Sequence, residues 1–198
     1  MFKVYKKFLL FLAITVFLCM SASIVWSESK VDFVEIKLLD NLDDKRGFCI
    51  DIKGYKLKAK INKGLQAHTC YSYQGEIAVD QGLDANRFKY KKLFFPNFNV
   101  CVSSTSSKKT LSLNLIKCIN AQKFVIGEDN TIRLKNNINL CLTVAKGNSR
   151  KGGGGLPAHL IRNLTMQTCN HQISIYQTWG IRGFKKGKIF TKKISKSL

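Results

Sequence analysis

Six cysteines after residue 46 are the residues of this sequence whose type and spacing could do chemistry. They open and close three successive units of roughly 40 to 50 residues, in the pairs Cys49 with Cys70, Cys101 with Cys118, and Cys141 with Cys169. Thiolates can bind zinc, but no Cys-x-x-Cys pair is present and the three histidines are scattered, whereas a structural zinc site needs four ligands at close spacing. Six cysteines allow 15 disulfide pairings, and the repeat favours the pairing that closes each unit on itself.

One pattern of alternation surrounds these cysteines in all three units. Each opening cysteine lies in a short run of alternating apolar residues, at residues 48–52, 100–103 and 140–143. Each closing cysteine is followed by a Gln-x-apolar triplet, namely Gln81-Gly82-Leu83, Gln122-Lys123-Phe124 and Gln177-Thr178-Trp179. One such unit cannot bury its apolar face alone, so three copies predict a single domain closed by approximate threefold symmetry.

The elements that would position the cysteines are short strands. Segments with apolar residues at alternate or near-alternate positions lie between turn-forming residues, at residues 34–38, 48–52, 65–69, 99–103, 111–115, 131–134, 140–144 and 164–168. After the first 27 residues, no stretch sustains a helical apolar stripe for three turns. The predicted class is therefore all-β with about twelve strands, and residues 151–155, with four glycines, are predicted to be a surface loop.

The first 27 residues have the features of a secretory signal peptide. Three lysines precede an apolar stretch over residues 8–20, and small residues follow where a signal peptidase would cut. We predict cleavage after Ser27, with Ser23 as the second choice. The alternative is an uncleaved membrane anchor, since weak apolar character continues to Trp26 and a membrane-spanning helix needs about 20 apolar residues.

Cleavage of this leader would also change the number of cysteines, and with it the expected state of the thiols. It removes Cys19 and leaves an even number of cysteines in a chain addressed to an oxidising compartment. We therefore predict a secreted or periplasmic protein with three disulfides. Each would stabilise the fold by about 3 kcal/mol in the chain-entropy model.

The chain is strongly basic, with 33 lysines and arginines, 12 acidic residues and a formal net charge of +21. Without the leader the charge is about +18. Such a surface attracts anionic polymers and envelope surfaces non-specifically, including lipopolysaccharide, acidic polysaccharide, nucleic acid and membranes. We predict no specific nucleic-acid partner. The charge is densest in a predicted basic C-terminal tail, residues 185–198, for which the alternative is a solvated segment without a dedicated partner.

Each unit has a Cys-x-Asp motif or a degenerate form of it, then a second cysteine, then a Gln-x-Trp-like triplet. This threefold pattern resembles the ricin B-chain type of β-trefoil lectin domain. The resemblance covers repeats at about residues 33–84, 85–124 and 125–182, called here the first, second and third units, within a domain at residues 28–184. Trp179 keeps the family's tryptophan, whereas Leu83 and Phe124 replace it. The likeness implies a β-trefoil of six two-stranded hairpins, three forming a barrel and three capping it.

The resemblance also implies one sugar-binding site, in the first unit. Carried over position by position, the family's carboxylate, amide, aromatic and polar residues fall on Asp51, Gln66, His68, Asp80 and Gln81. A carboxylate and amides exchange hydrogen bonds with vicinal hydroxyls, and a flat ring stacks on the apolar face of a pyranose. Because imidazole stacks less well than indole, we expect millimolar binding, about 4 kcal/mol. The alternative is that Asp51 and His68 form a hydrogen-bonded pair that fixes the first hairpin.

The corresponding positions in the other two units keep neither an acid nor a ring. They are Ser103, Asn114 and Ile116 in the second unit, and Thr143, Thr165 and Gln167 in the third. We therefore expect those two pockets to be inactive.

Catalysis is not indicated by any arrangement of residues in the sequence. The thiols are predicted to form disulfides, and no serine lies in a nucleophile-elbow context. We predict a non-enzyme without cofactor or metal, and interpret His159 and His171 as surface or capping residues. Three interpretations remain: a secreted carbohydrate-binding module, a trefoil scaffold without pockets that binds or inhibits a protein, and a basic protein that binds polyanions.

Overall fold

Short strands and 3-10 helices make up the regular structure of residues 30–105 and 111–197, the part of the chain that this computed structural model describes. The strands in these two ranges are β1 Phe33–Leu38, β2 Phe48–Ile52, β3 Leu65–Thr69, β4 Leu83–Asp84, β5 Phe94–Phe95, β6 Val100–Thr105, β7 Leu111–Ile116, β8 Phe124–Ile126, β9 Ile132–Leu134, β10 Asn137–Val144, β11 Arg150–Lys151, β12 Leu160–Arg162, β13 Leu164–Thr168, β14 Trp179–Lys185 and β15 Lys188–Lys193. The 3-10 helices are Lys56–Lys58, Ile61–Lys63, Tyr71–Gln74, Ala85–Tyr90, Pro96–Phe98, His171–Tyr176 and Ile194–Ser197. In the described ranges no helix has the length and apolar character needed to cross a membrane. The all-β class is confirmed.

The strands pair into two antiparallel sheets. One has the order β11-β12-β3-β2-β1-β14-β15, with β4 paired to β1, and the other has the order β5-β6-β7-β13-β10-β9-β8. In the first sheet, β12 of the third unit pairs with β3 of the first unit, where Ile161 lies opposite His68. In the second sheet, β13 of the third unit pairs with β7 of the second unit. Units that are separate in the sequence therefore share sheets.

Three strand pairs place the opening cysteines in the same register, with the closing cysteines just after the second strand of each pair. The pairs are β2–β3, β6–β7 and β10–β13, and the residue two after each opening cysteine has a direct cross-strand partner: Asp51 opposite Gln66, Ser103 opposite Asn114, and Thr143 opposite Thr165. Since side chains of directly opposed residues project from the same face, each of these pairs can interact. The same cross-strand register thus occurs beside each of the three opening cysteines.

The three disulfides join Cys49 to Cys70, Cys101 to Cys118, and Cys141 to Cys169. The predicted pairing within units is confirmed. Disulfides of this kind are typical of an oxidising environment, extracellular or periplasmic.

Apolar side chains from both sheets form the core. The largest fully buried ones are Trp179, Phe48, Phe95, Ile36, Leu38, Ile50, Ile52, Leu83, Ile132, Leu142, Ile181 and Ile194. The apolar residue of each Gln-x-apolar triplet is among the buried residues, with Phe124 exposed by 2%. Trp179 also donates from Nε1 to the carbonyl oxygen of Leu142 at 3.0 Å, so its polar atom is satisfied inside the core.

The structure differs from the sequence-based expectations at several boundaries. It has fifteen strands in the described ranges, against about twelve expected, because two-residue strands such as β4, β5 and β11 are too short to show a period. Residues 185–197, expected to be a tail, continue β14 into β15, and Ile194 is fully buried. The lysines of this segment concealed its strand pattern. The signal peptide expected at residues 1–27 lies outside the described residues.

Candidate ligand-binding site in the first unit

The five side chains carried over from the lectin pattern lie together in the structure. The β2–β3 hairpin places Asp51 opposite Gln66. The chain then returns to the same hairpin, since the amide of Ile52 donates to the carbonyl oxygen of Asp80 at 2.9 Å. This bond brings Asp80 and Gln81 beside Asp51, although about thirty residues separate them in the sequence.

Asp51 is the acceptor at the centre of this group. Gln66 Nε2 donates to Asp51 Oδ1 at 2.7 Å, and Gln81 Nε2 donates to Asp51 Oδ2 at 3.1 Å. Gln81 also accepts from the backbone amide of Tyr71 at 2.9 Å and donates to the carbonyl oxygen of Thr69 at 3.1 Å. The glutamine therefore fixes the chain on both sides of Cys70, as well as holding Asp51.

Burial of Asp51 destabilises the charged form of its carboxyl group. Its pKa is raised well above the ordinary value, first by desolvation and then by the negative charge of Asp80. The pKa of Asp80 is raised by desolvation as well. The backbone amide of Lys56 donates to Asp80 Oδ2 at 2.6 Å, whereas Oδ1 is buried without a hydrogen-bond partner among the described residues. Two neighbouring carboxyl groups therefore lie under the segment that begins at Lys56.

His68 lies in a cluster of rings. Its ring stacks on Tyr71 with centroids 5.2 Å apart and contacts His159 edge-on at 5.1 Å. His68 Nδ1 lies 2.9 Å from the carbonyl oxygen of Thr69, which can only accept, so Nδ1 carries a proton and donates it. Gln81 Nε2, itself a donor, lies 3.3 Å from Nδ1 without donating to it. Burial lowers the pKa of His68 to about 4, and the imidazole is neutral at pH 7. The alternative interpretation, a hydrogen-bonded pair of Asp51 with His68, is wrong in its partner: Asp51 accepts from Gln66 and Gln81, and His68 Nδ1 lies at the carbonyl oxygen of Thr69.

His159, interpreted from the sequence as a surface or capping residue, is instead buried against the first unit at 3% exposure. Its Nε2 lies 2.8 Å from the hydroxyl of Tyr73. Arg46 fixes the adjoining backbone, donating to the carbonyl oxygens of Pro157 at 2.9 Å and Ala158 at 2.8 Å. Sequence reasoning missed this contact because it joins residues more than a hundred positions apart, with no local pattern that marks the pairing.

The five predicted site residues are all closed off from solvent. Their exposures are 1% for Asp51, 5% for Gln66, 5% for His68, and 0% for Asp80 and Gln81. The polar network is satisfied mainly by its own members, which is what buried polar groups require. In this conformation a ligand at the surface does not touch Asp51.

An open pocket of about 290 Å³ lies next to this network. It is lined by Tyr55, Lys56, Leu57, Lys58, Glu76, Ile77, Ala78 and Val79. Lys56 connects the two, because its amide binds Asp80 while its Nζ lies 3.0 Å from Glu76 Oε1. Tyr55 is 59% exposed and offers a ring face to solvent. The sequence pattern did not identify these residues, since they lie in segments between the repeated motifs.

The other two units keep parts of the same arrangement without a carboxylate. In the third unit, Gln177 Nε2 donates to Thr143 Oγ1 at 2.9 Å. In the second unit, Gln122 Oε1 accepts from the backbone amide of Ser104 at 3.1 Å and from its hydroxyl at 2.6 Å. A second pocket, of about 390 Å³, lies beside Cys169 in the third unit, with Asp129, Arg133 and His171 among its lining residues.

A metal centre is not built by the side chains of the described ranges. The grouping of metal-ligand types found there is Glu35 with Cys49 and Cys70. Both sulfur atoms belong to the first disulfide and are not thiolate ligands. Glu35 is instead bonded to the amide of Ser72 at 2.9 Å.

No protein-family model matches the chain, and no curated protein matches its sequence.

Proposed function

We propose that this chain is a secreted, non-catalytic carbohydrate-binding module with a β-trefoil fold and one sugar site, in the first unit. The repeated register of β2–β3, β6–β7 and β10–β13 supports the trefoil, as does a disulfide within each unit. The apolar residue of each Gln-x-apolar triplet lies in the core. These features agree with three equivalent units closed around one interior.

The observation that carries the proposed sugar site is the connection of a buried carboxylate–amide network to an open pocket. Asp51, Gln66 and Gln81 hold the hairpin, and Asp80 accepts the amide of Lys56 at the pocket wall. Sugar sites combine a few fixed polar groups with an apolar surface. Here the apolar surface is supplied by Tyr55 and Leu57, and the polar groups by Lys56 and Glu76.

Tyr55 takes the stacking role that the sequence pattern assigned to His68. Its ring is exposed, whereas the ring of His68 is covered by Tyr71 and His159. The five carried-over residues position the wall of the pocket, and the sugar contacts the surface residues above them. Stacking of a pyranose on one phenol ring, with few charged contacts, fits the expected weak affinity.

A glycan array probed at low and high salt concentration tests this function, followed by titration of the best monosaccharide. Tyr55→Ala should weaken binding about tenfold, because ring stacking contributes about 1.4 kcal/mol. Tyr90→Ala is the matched control, since Tyr90 is also exposed, at 55%, and does not line the pocket.

Wild-type protein that binds no neutral glycan would contradict the proposal and leave the scaffold without pockets as the better interpretation. Equal loss of binding in Tyr55→Ala and Tyr90→Ala would contradict the assigned pocket. Salt should change the affinity little, since hydroxyl recognition depends on short-range hydrogen bonds rather than on the field of the lysines.

A further inference from the structure

The β14–β15 hairpin presents a surface that the proposed sugar pocket does not use. The two strands pair along their length, with Gly180 opposite Lys193 at one end and Lys185 opposite Lys188 at the other. β15 is the last strand of its sheet and pairs with β14 alone among the described strands. The hairpin is thus fixed to the core by β14 while β15 faces solvent.

Five exposed lysines are concentrated on this hairpin: Lys185, Lys186, Lys188, Lys192 and Lys193. The sequence has no acidic residue after Asp129, so the hairpin carries no compensating charge of its own. Within the described ranges, none of the five lysines forms an ion pair with a carboxylate. Their charge is available to a partner.

The fold gains nothing from these charges at the tip of the hairpin. Lys185 lies directly opposite Lys188, and like charges at opposed positions destabilise a strand pair. Between them, Lys186 has a φ of 51° and Gly187 a φ of 73°. Asn or Asp is the usual residue before glycine in such a turn, since a lysine at positive φ is strained. Three lysines in this turn therefore act against local stability.

One face of the hairpin combines charge with an aromatic ring. Opposed residues project to the same side and successive residues alternate, so Lys185, Lys188, Phe190 and Lys192 share a face. Phe190 lies midway between Lys188 and Lys192, which are about 13 Å apart along the strand. Its ring lies over the backbone of Gly183, where an added Cβ would be 3.1 Å from the ring.

We propose that this face, defined by Lys185, Lys188, Phe190 and Lys192, binds an acidic polysaccharide. Its lysines pair with carboxylate or sulfate groups along the polymer, and Phe190 contacts the sugar ring between two charged groups. Strand pairing with β14 sets the backbone spacing of the lysines before a polymer binds. The three disulfides favour an extracellular or periplasmic setting, where acidic polysaccharides rather than nucleic acids are the common polyanions.

Binding of heparin, a sulfated polysaccharide used as the probe, tests the inference by titration calorimetry between about 50 and 500 mM salt. The variant Lys185→Gln/Lys188→Gln/Lys192→Gln should bind at least tenfold more weakly at physiological salt. Its plot of log affinity against log salt should be shallower by about 2, because three ionic contacts are lost. The matched control is Lys60→Gln/Lys117→Gln/Lys135→Gln, which removes the same charge from exposed positions elsewhere and should change the affinity less than threefold.

Three results would overturn the inference. Equal weakening in both triple variants would show that net charge alone attracts the polymer. Tighter binding of single-stranded DNA than of heparin, matched for charge, would assign the surface to nucleic acid. Self-association of the hairpin variant with unchanged heparin affinity would show that the lysines protect an edge strand from pairing with another chain. Tyr55→Ala should leave heparin binding unchanged, so failure of the sugar pocket and failure of this surface are distinguishable.

Discussion

The first and third units use a glutamine in the same way but bond it to different chemistry. Gln81 and Gln177 each accept from the backbone amide after the closing cysteine, both at 2.9 Å. Each donates to the carbonyl oxygen just before that cysteine, at 3.1 and 3.0 Å. The third contact differs: Gln81 donates to the carboxylate of Asp51, and Gln177 to the hydroxyl of Thr143.

The backbone contacts of the glutamine, called here the frame of a unit, are the same in the two units, whereas its side-chain partner differs. The glutamine satisfies backbone groups in both units, so its presence reports the fold rather than a ligand. Thr143 also donates its hydroxyl proton to the carbonyl oxygen of Cys141 at 2.8 Å, and needs no further partner. Asp51 instead needs a second donor, Gln66, and its burial raises its pKa well above the ordinary value. The first unit therefore carries a buried acid that the frame does not require.

Removal of a disulfide should give the largest difference between wild type and variants. Cys49→Ala/Cys70→Ala and Cys141→Ala/Cys169→Ala should each lose about 3 kcal/mol of unfolding free energy, because their loops of 21 and 28 residues are similar in length. The first pair should lose about 1 kcal/mol more, since both its cysteines are fully buried and their removal leaves a cavity. Urea unfolding measures both values. A larger loss in the third unit would contradict the comparison.

Asp51→Ala should come next, with a loss of about 3 kcal/mol, because it leaves the buried amide nitrogen of Gln66 without the acceptor it uses and also removes one of the two acceptors of Gln81 Nε2. Thr143→Ala is the matched control in the third unit. It should lose about 1 kcal/mol, since Gln177 keeps its bond to the carbonyl oxygen of Thr168. Thermal and urea unfolding of the two variants decide the matter. Equal losses would mean that Asp51 contributes no more to its unit than a hydroxyl.

A pH-dependent effect is expected at the position where the third unit has Gln167 and the first has His68. The pKa of His68 is lowered from 6.5 to about 4, so the unfolded chain binds more protons than the native one in that window. The stability of wild type relative to His68→Gln should therefore fall as the pH drops from about 6.5 towards 4, by at most about 1.4 kcal/mol per pH unit. His68→Gln, which copies the third unit, is the reference because the other titrating groups are the same in both proteins, and unfolding curves at several pH values measure the difference.

Asp51 acts in the opposite direction in the same experiment. Its raised pKa means that the native state binds more protons than the unfolded state above about pH 4, so its contribution to stability is lost as the pH rises. Asp51→Asn should therefore steepen the acid-side loss that His68 causes. His171→Gln is the control, since His171 is exposed. Plots of stability against pH that run parallel for wild type and His68→Gln would contradict the assignment to this imidazole.

The repeated motifs allowed much of the first unit to be predicted. Asp51, Gln66, His68, Asp80 and Gln81 are brought together as expected. Their closure from solvent was not predictable, because it depends on segments that follow no repeat. The turn at Lys56 binds Asp80, and His159 of the third unit covers His68. Tyr55, the exposed ring at the pocket, belongs to such a segment as well.

The structure of the β14–β15 hairpin, unlike that of the first unit, was not predicted from the sequence. Its composition predicted a basic segment with a possible anionic partner, and its lysines obscured a six-residue strand. Only the register with β14 shows which lysines share a face with Phe190. Strand pairing depends on a partner elsewhere in the chain, whereas charge is a property of each residue alone.

By itself the sequence determined the all-β class and the three disulfides, because alternation and cysteine phasing are local properties repeated three times. It also determined which unit carries the acid, since only Asp51 among the three equivalent positions is a carboxylate. The tertiary structure decided that this acid is buried, that Gln81 and not His68 is its partner, and that the open pocket lies beside Lys56. Burial and hydrogen-bond partners depend on chain segments distant in sequence, whose packing no local pattern records.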